Sequence, residues 1–333
     1  MGGALTVRAA APVRLDLAGG WTDVPPYSAR AGGVVVTAAV ELFAHAEVTP
    51  RTAGYRLVAE DLNQEIELAD AAELAGGDHM PLLRAGLRML PPGPCALVTR
   101  ADAPPGSGLG SSGAMDVALV AALTAARGES PDIRATADLA CRLEGVEAGI
   151  SGGRQDQFAA AYGGFLRLAF RDPDATVEPI TLPADIADAL ARRMLLCYTG
   201  ASRFSGATIG RVMAAYERGD PSVAGALDGI RGVAETMPAA LLAGDLARVG
   251  TLLSANWRLQ QALDPGMCTP VMARLERAMV EAGVLGGKAA GSGAGGSMFF
   301  LCPDDPAPAI AAARELGMRL LPVRWAREGV RRC

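Results

Sequence analysis

The stretch from Pro104 to Asp116 reads PPGSGLGSSGAMD, with four glycines and three serines in thirteen residues. Before it, CALVTRA from Cys95 reads as a strand, and after it the apolar run VALVAALTAA reads as a helix to Ala126. Glycines let a backbone approach a ligand closely, and the free N–H groups at a helix start attract anions. A strand, a side-chain-poor loop and a helix in this order predict a bound phosphate.

The rest of the chain supplies room for two lobes. It has 333 residues, 50% of them hydrophobic, enough for a large core and more than one average domain. Strands gather early, in GGVVVTAAVELFAHAEV from Gly32, FLRLAF from Phe165 and RRMLLCYTG from Arg192. Helices gather late, over Ala224 to Leu242, Asp245 to Leu263 and Thr269 to Ala282, before the glycine-rich GSGAGGSMFFLCP. Without strict βαβ alternation, this order predicts an α+β fold of two lobes with a cleft between them. The boundary is expected between Ala169 and Arg193, giving domains 1–180 and 181–333. A helix following the first loop is expected to start at Ser130 as N-cap with Pro131 in its first turn. Its apolar face would be Leu139, Leu143 and Val146, with Gly149 as its stop.

Charge and composition exclude several functions. The net charge of −5 is spread without long runs, so neither a nucleic-acid footprint nor a membrane-surface patch is expected. Six cysteines stand far apart with no C-x-x-C pair, which fits a reduced cytoplasm. The N-terminus lacks the apolar core of a signal peptide, being interrupted by Arg14 and Asp16. The two histidines, His45 and His79, cannot build a three-ligand zinc site without carboxylates or thiolates, and neither sits in a motif-like setting for a Ser-His-Asp triad.

Among glycine-loop chemistries, the Walker pattern G-x-x-x-x-G-K-[ST] is absent. Gly291 to Gly296 matches G-x-G-x-x-G but precedes a strand, whereas the dinucleotide fingerprint follows a strand and opens a helix. Four segments match something else together: APVRLDLAGGWTD from Ala11, PPGSGLGSSGAMD from Pro104, GGRQDQFAAAYGGF from Gly152 and GGKAAGSGAGGSMFFL from Gly286. In this order they resemble the motifs of the GHMP small-molecule kinases, a family that includes galactokinase, homoserine kinase, mevalonate kinase and phosphomevalonate kinase. LDLAGGWTDVPP and GGRQDQ resemble its sugar-kinase branch, with the D-glycero-D-manno-heptose 7-phosphate kinases and L-fucokinases. The GVLGGKAAGSGAGG ending is similar to the heptose kinases, while Trp21 is similar to the fucokinases.

The resemblance implies an ATP- and Mg²⁺-dependent kinase of a sugar or sugar phosphate acting at the anomeric hydroxyl, on the two-lobed fold reached above. Pro105, Gly106, Ser107, Gly108, Leu109, Gly110, Ser111 and Ser112 would cradle the ATP phosphates, with Ser112 also on Mg²⁺. Mg²⁺ takes one or two carboxylates. Glu144 and Glu147, at i and i+3, could both point into a cleft, and the resemblance favours Glu144. Asp156, at the start of a short helix behind two glycines, would orient or deprotonate the acceptor hydroxyl. Arg14 would stabilise the alkoxide and the γ-phosphate, and Asp23 would accept hydrogen bonds from sugar hydroxyls. Gly20, Trp21, Gly153 and Gly293 would line the substrate, and Arg154 and Arg203 would anchor a remote phosphate. Lys288 could reach a phosphate or simply serve the next strand. A cyclitol kinase, a decarboxylase-type member and a ligand sensor that has lost turnover stay open. The substrate partner is a small molecule, and the oligomeric state is not legible.

Overall fold

The computed structural model describes residues 5–77, 79–150, 152–200 and 205–332, apart from the side chain of residue 205. The strands are β1 (Val7–Ala18), β2 (Gly33–Pro50), β3 (Tyr55–Ala59), β4 (Gln64–Leu68), β5 (Cys95–Ala101), β6 (Phe165–Arg171), β7 (Asp174–Pro179), β8 (Met194–Tyr198), β9 (Gly286–Ala289), β10 (Ser297–Leu301), β11 (Arg319–Leu321) and β12 (Arg331–Arg332). The helices are α1 (Tyr27–Ala31), α2 (Pro81–Met89), α3 (Ser111–Ala126), α4 (Ile133–Arg142), α5 (Gln155–Tyr162), α6 (Ala184–Arg193), α7 (Ser205–Glu217), α8 (Pro221–Leu242), α9 (Leu246–Gln261), α10 (Pro270–Glu281) and α11 (Ala307–Glu315). The result is the two-lobed α+β architecture expected from the order of apolar runs.

The first sheet runs β12-β1-β2-β5-β3-β4, with β6 and β7 branching from β2. The branching follows from the length of β2. Its first part, Gly33 to Ala38, pairs with β6, and its last part, Ala44 to Pro50, pairs with β5. Between them Ala39 N–H donates to Gly164 O, but Ala39 O and Glu41 N–H would be left unpaired. The returning C-terminal chain fills that gap: Arg324 O accepts from Glu41 N–H, and Ala326 N–H donates to Ala39 O. Trp325 packs edge-on against Phe165 at the same place, 4.9 Å between ring centres. The second sheet, β11-β8-β10-β9, is antiparallel throughout.

Helix α3 is buried from Gly113 to Thr124 on every side, as an uninterrupted apolar run requires. The next helix differs from expectation. Its N-cap is Asp132, whose carboxylate accepts from Ala135 N–H at 2.7 Å, while Ser130 instead accepts from Arg332. Leu143 is fully buried, but Val146 is exposed because the helix ends in a single π turn, with Ala148 N–H donating to Leu143 O. The extra residue in that turn rotates Val146 off the apolar face.

The lobes meet at the end of β1. Gly19 N–H donates to Asn256 of α9, and Trp21, Val24 and Tyr27 join the second lobe's core beside Trp257 and Met267. Beneath this turn lies a fully buried ion pair. Lys288 Nζ, on β9, lies 2.8 Å from Asp16 Oδ2 and 2.7 Å from the Asp16 carbonyl, and Gly20 N–H donates to the other carboxylate oxygen. Burial pushes the Lys288 ammonium below its ordinary pKa, and Asp16 opposes that shift. Removing one member of such a pair strands the other, at a cost of about 3–5 kcal/mol. Lys288→Met is therefore expected to lower the urea midpoint by that equivalent, and Asp16→Asn combined with Lys288→Met to recover part of it. Equal midpoints for wild type and Lys288→Met would contradict the role given to this pair.

Candidate active site

Where β1, the β5–α3 loop, α5 and the β9–β10 loop converge, they enclose a cavity of about 480 Å³. The loop of residues 104–110 forms one wall. Its last residue, Gly110, caps α3 in the left-handed region (φ 76°) and provides no side chain for the first-turn N–H groups. A Cβ there would lie 3.1 Å from Asp156 Cγ and 3.2 Å from Arg14 Cζ, and one on Gly113 would overlap Asp156. These glycines let the start of α3 approach the charged pair directly. Gly108 and Gly291 sit back to back, which brings the first and last glycine loops together. Gly291 and Ser292 line the cavity, and Gly293, one residue on, packs against Met267 instead.

Arg14 and Asp156 form the centre. Both Arg14 Nε (2.8 Å) and Nη2 (2.7 Å) meet Asp156 Oδ1, and Nη1 donates to Gly108 O at 2.7 Å. Arg14 backbone N–H also donates to Leu109 O. The guanidinium is thereby locked to both loop and carboxylate. Arg14 and Asp156 both line the cavity; the Arg14 side chain is 5% exposed and that of Asp156 25%, so the carboxylate is the more accessible member of the pair.

Ser112, in the first turn of α3, donates to Glu144 Oε1 at 2.7 Å. Burial raises the Glu144 carboxyl above its ordinary pKa, and the Ser112 hydrogen bond opposes that shift. The π turn that displaced Val146 also separates the two glutamates. Glu144 lines the cavity, and Glu147 pairs with Arg142 outside it. Two residues missed by sequence reasoning tie this corner down. The Gln157 carboxamide donates its two N–H groups to Glu144 Oε2 (2.6 Å) and Asp116 Oδ2 (3.1 Å). Asp116 is fully buried, and burial holds its carboxyl well above the usual range. Both lie inside segments quoted above, but only a residue's partners, four or more residues away in sequence, reveal such a network.

The remaining expectations divide. Gly20, Trp21 and Gly153 line the cavity, and Trp21 has a left-handed backbone (φ 83°). Asp23 is in the wall but 0% exposed, its carboxylate taken up by Gln155. Arg154 turns away, pairing with Asp172 and donating to Pro173 O. Lys288 is consumed by Asp16. Arg203 lies outside the described residues.

A second cavity, about 450 Å³, adjoins the first and shares Ser111 and Ser112 with it. Leu62, Met80, Leu83 and Met115 make it mainly apolar, with Pro105 at its edge. The Ser107 and Ser111 hydroxyls are buried with no hydrogen-bond partner among the described residues. A free helix N-terminus, two orphan hydroxyls and an adjoining apolar slot fit a nucleotide triphosphate, and a hydroxyl with a carboxylate fits a hard divalent cation. Among the described residues no helix is long and apolar enough to cross a membrane.

Comparison with known proteins agrees with this geometry. Residues 80–164 match the GHMP kinases N-terminal domain and residues 237–317 the GHMP kinases C-terminal domain. A D-glycero-alpha-D-manno-heptose 7-phosphate kinase of Campylobacter jejuni is 28% identical over 306 residues, 89% of each chain. A bifunctional fucokinase/GDP-fucose pyrophosphorylase of Arabidopsis thaliana is 26% identical over 330 residues, 93% of this chain but 30% of that protein. The crystal structure of a D-glycero-D-manno-heptose 1-phosphate kinase from Bacteriodes thetaiotaomicron superposes with a TM-score of 0.78 at 26% identity, covering 98% of both chains. Two domain models of one family match in order, on the segment carrying the first glycine loop and on the later helical segment, and the chain belongs to the GHMP kinases, which are ATP-dependent.

Proposed function

We propose that the chain transfers the γ-phosphoryl group of ATP, with Mg²⁺, to a hydroxyl of a phosphorylated heptose, with the anomeric hydroxyl as acceptor. The observation that carries the reading is the Arg14–Asp156 pair, held against the glycine-capped start of α3 inside one cavity. Two heptose-phosphate kinases match over nearly the whole chain, which supports a sugar phosphate over an unphosphorylated sugar.

In this reading the apolar cavity takes the purine, and the first-turn N–H groups of α3 with the Ser107 and Ser111 hydroxyls hold the phosphates. Ser112 and Glu144 would hold Mg²⁺, which neutralises phosphate charge when bound. Asp156 accepts a hydrogen bond from the acceptor hydroxyl and takes its proton as the oxygen bonds to the γ-phosphorus and the bond to ADP breaks. Arg14 keeps that carboxylate in place and puts a permanent cation beside the developing charge. The charge of the migrating group is thus met before the reaction starts.

An ADP-release screen over heptose 7-phosphate, L-fucose, galactose, mannose and cyclitols tests the substrate class, with heptose 7-phosphate expected to give the highest kcat/KM. L-fucose ahead of every sugar phosphate would move the assignment to a fucokinase. Asp156→Asn should cut kcat by about 10²-fold or more with ATP affinity nearly intact; near-wild-type turnover would remove the base assignment. Ser112→Ala and Glu144→Gln should each raise the Mg²⁺ concentration needed for half-maximal rate, while Glu147→Gln leaves it unchanged. A larger effect at Glu147 would overturn the choice of ligand.

A further inference from the structure

Asp23 is fully buried, and its two oxygens go to one residue. Gln155 backbone N–H donates to Oδ2 at 3.0 Å and Gln155 Nε2 donates to Oδ1 at 3.1 Å. Gln155 is the first residue of α5, and Asp156 is the second. A helix start leaves its first N–H groups without partners. Arg154, at the N-cap, supplies no side-chain cap, because its guanidinium is turned to Asp172. Asp23, 132 residues earlier in the chain, supplies the missing acceptor. The turn before α5 is shaped around it: a Cβ on Gly153 would overlap the Asp23 carboxylate, and only glycine lets the two meet.

No cation pairs with this carboxylate among the described residues. Its charged neighbours, Asp156 and Asp16, are acidic, and burial pushes its pKa up to about 6. A carboxylate kept in so unfavourable a place, with both of its described hydrogen bonds made to the first residue of the helix that carries Asp156, serves that helix.

We infer that Asp23 is a positioning residue, which caps α5 and so holds Asp156 against Arg14, rather than a ligand of the acceptor sugar. The inference rests on the assignment of Asp156 proposed above, but part of its test does not. In amide hydrogen exchange on the full chain, Asp23→Ala should speed exchange over residues 155–157, whatever the substrate proves to be. With the acceptor sugar, Asp23→Ala should lower kcat roughly 10-fold or more while KM for the acceptor stays within about 3-fold. Asp23→Asn should restore most of kcat. Its carboxamide oxygen still accepts from Gln155 N–H, and its NH₂ group meets Gln155 Oε1, which has no partner at present, once that amide rotates.

Unchanged exchange at 155–157 in Asp23→Ala overturns the inference. So does a rise of about 10-fold or more in acceptor KM with kcat kept, the signature of a sugar ligand. Should Asp23→Ala not fold, Asp23→Asn decides alone: near-wild-type kcat and KM support the cap, and a strongly raised KM refutes it. Should the wild type turn over no sugar at all, the proposed function fails, and the exchange experiment still decides the role of Asp23.

Discussion

The buried pair between Asp16 and Lys288 is the contact on which the site depends. It joins the strand that carries Arg14 to the strand leading into the last glycine loop, across 272 residues of sequence. The same carboxylate holds Gly20 N–H and so fixes the turn through Trp21 to Asp23. Arg14 lies two residues before Asp16 on β1, and its position against the loop is inherited from this anchor. A buried ion pair adds little stability over an apolar pair of the same shape. Here it fixes a register between the lobes that apolar packing, tolerant of small slips, would specify less sharply.

From that anchor the charges are arranged as alternating layers. Lys288 faces Asp16, Arg14 faces Asp156, and the carboxylates of Glu144 and Asp116 share the Gln157 amide. Arg14 and Lys288 are the buried cations of this region, and both are already paired with protein carboxylates. Among the described residues that line the cavity, the remaining positive potential comes from main-chain N–H groups at the start of α3. An anion entering the cavity therefore meets fixed dipoles more than mobile cations, and such dipoles need no reorganisation as charge shifts during transfer.

How far the sequence disclosed this varies with the range of the interaction. The first glycine loop, the buried helix after it and Asp156 at the start of α5 are local patterns, and they were legible. The preference for Glu144 over Glu147 as a metal ligand came from resemblance; that Glu144 lines the cavity and Glu147 does not follows from a π turn that no periodicity argument includes. Arg154 was read as a phosphate anchor and Lys288 was left open between a phosphate contact and a strand residue, because their partners, Asp172 and Asp16, come close only through the fold. The C-terminal chain that completes β2 was invisible for the same reason, since residues 324–326 lack an apolar run such as that in RRMLLCYTG and their role is to satisfy backbone groups.

In the proposed reaction the Arg14–Asp156 site passes phosphate directly to a phosphorylated heptose. This transfer is tested most directly by ³¹P NMR of the purified chain with ATP, Mg²⁺ and D-glycero-D-manno-heptose 7-phosphate. The account predicts a new phosphate-ester resonance at the anomeric position, growing in step with ADP while the original ester signal persists. ADP appearing with inorganic phosphate and no bisphosphate would contradict it.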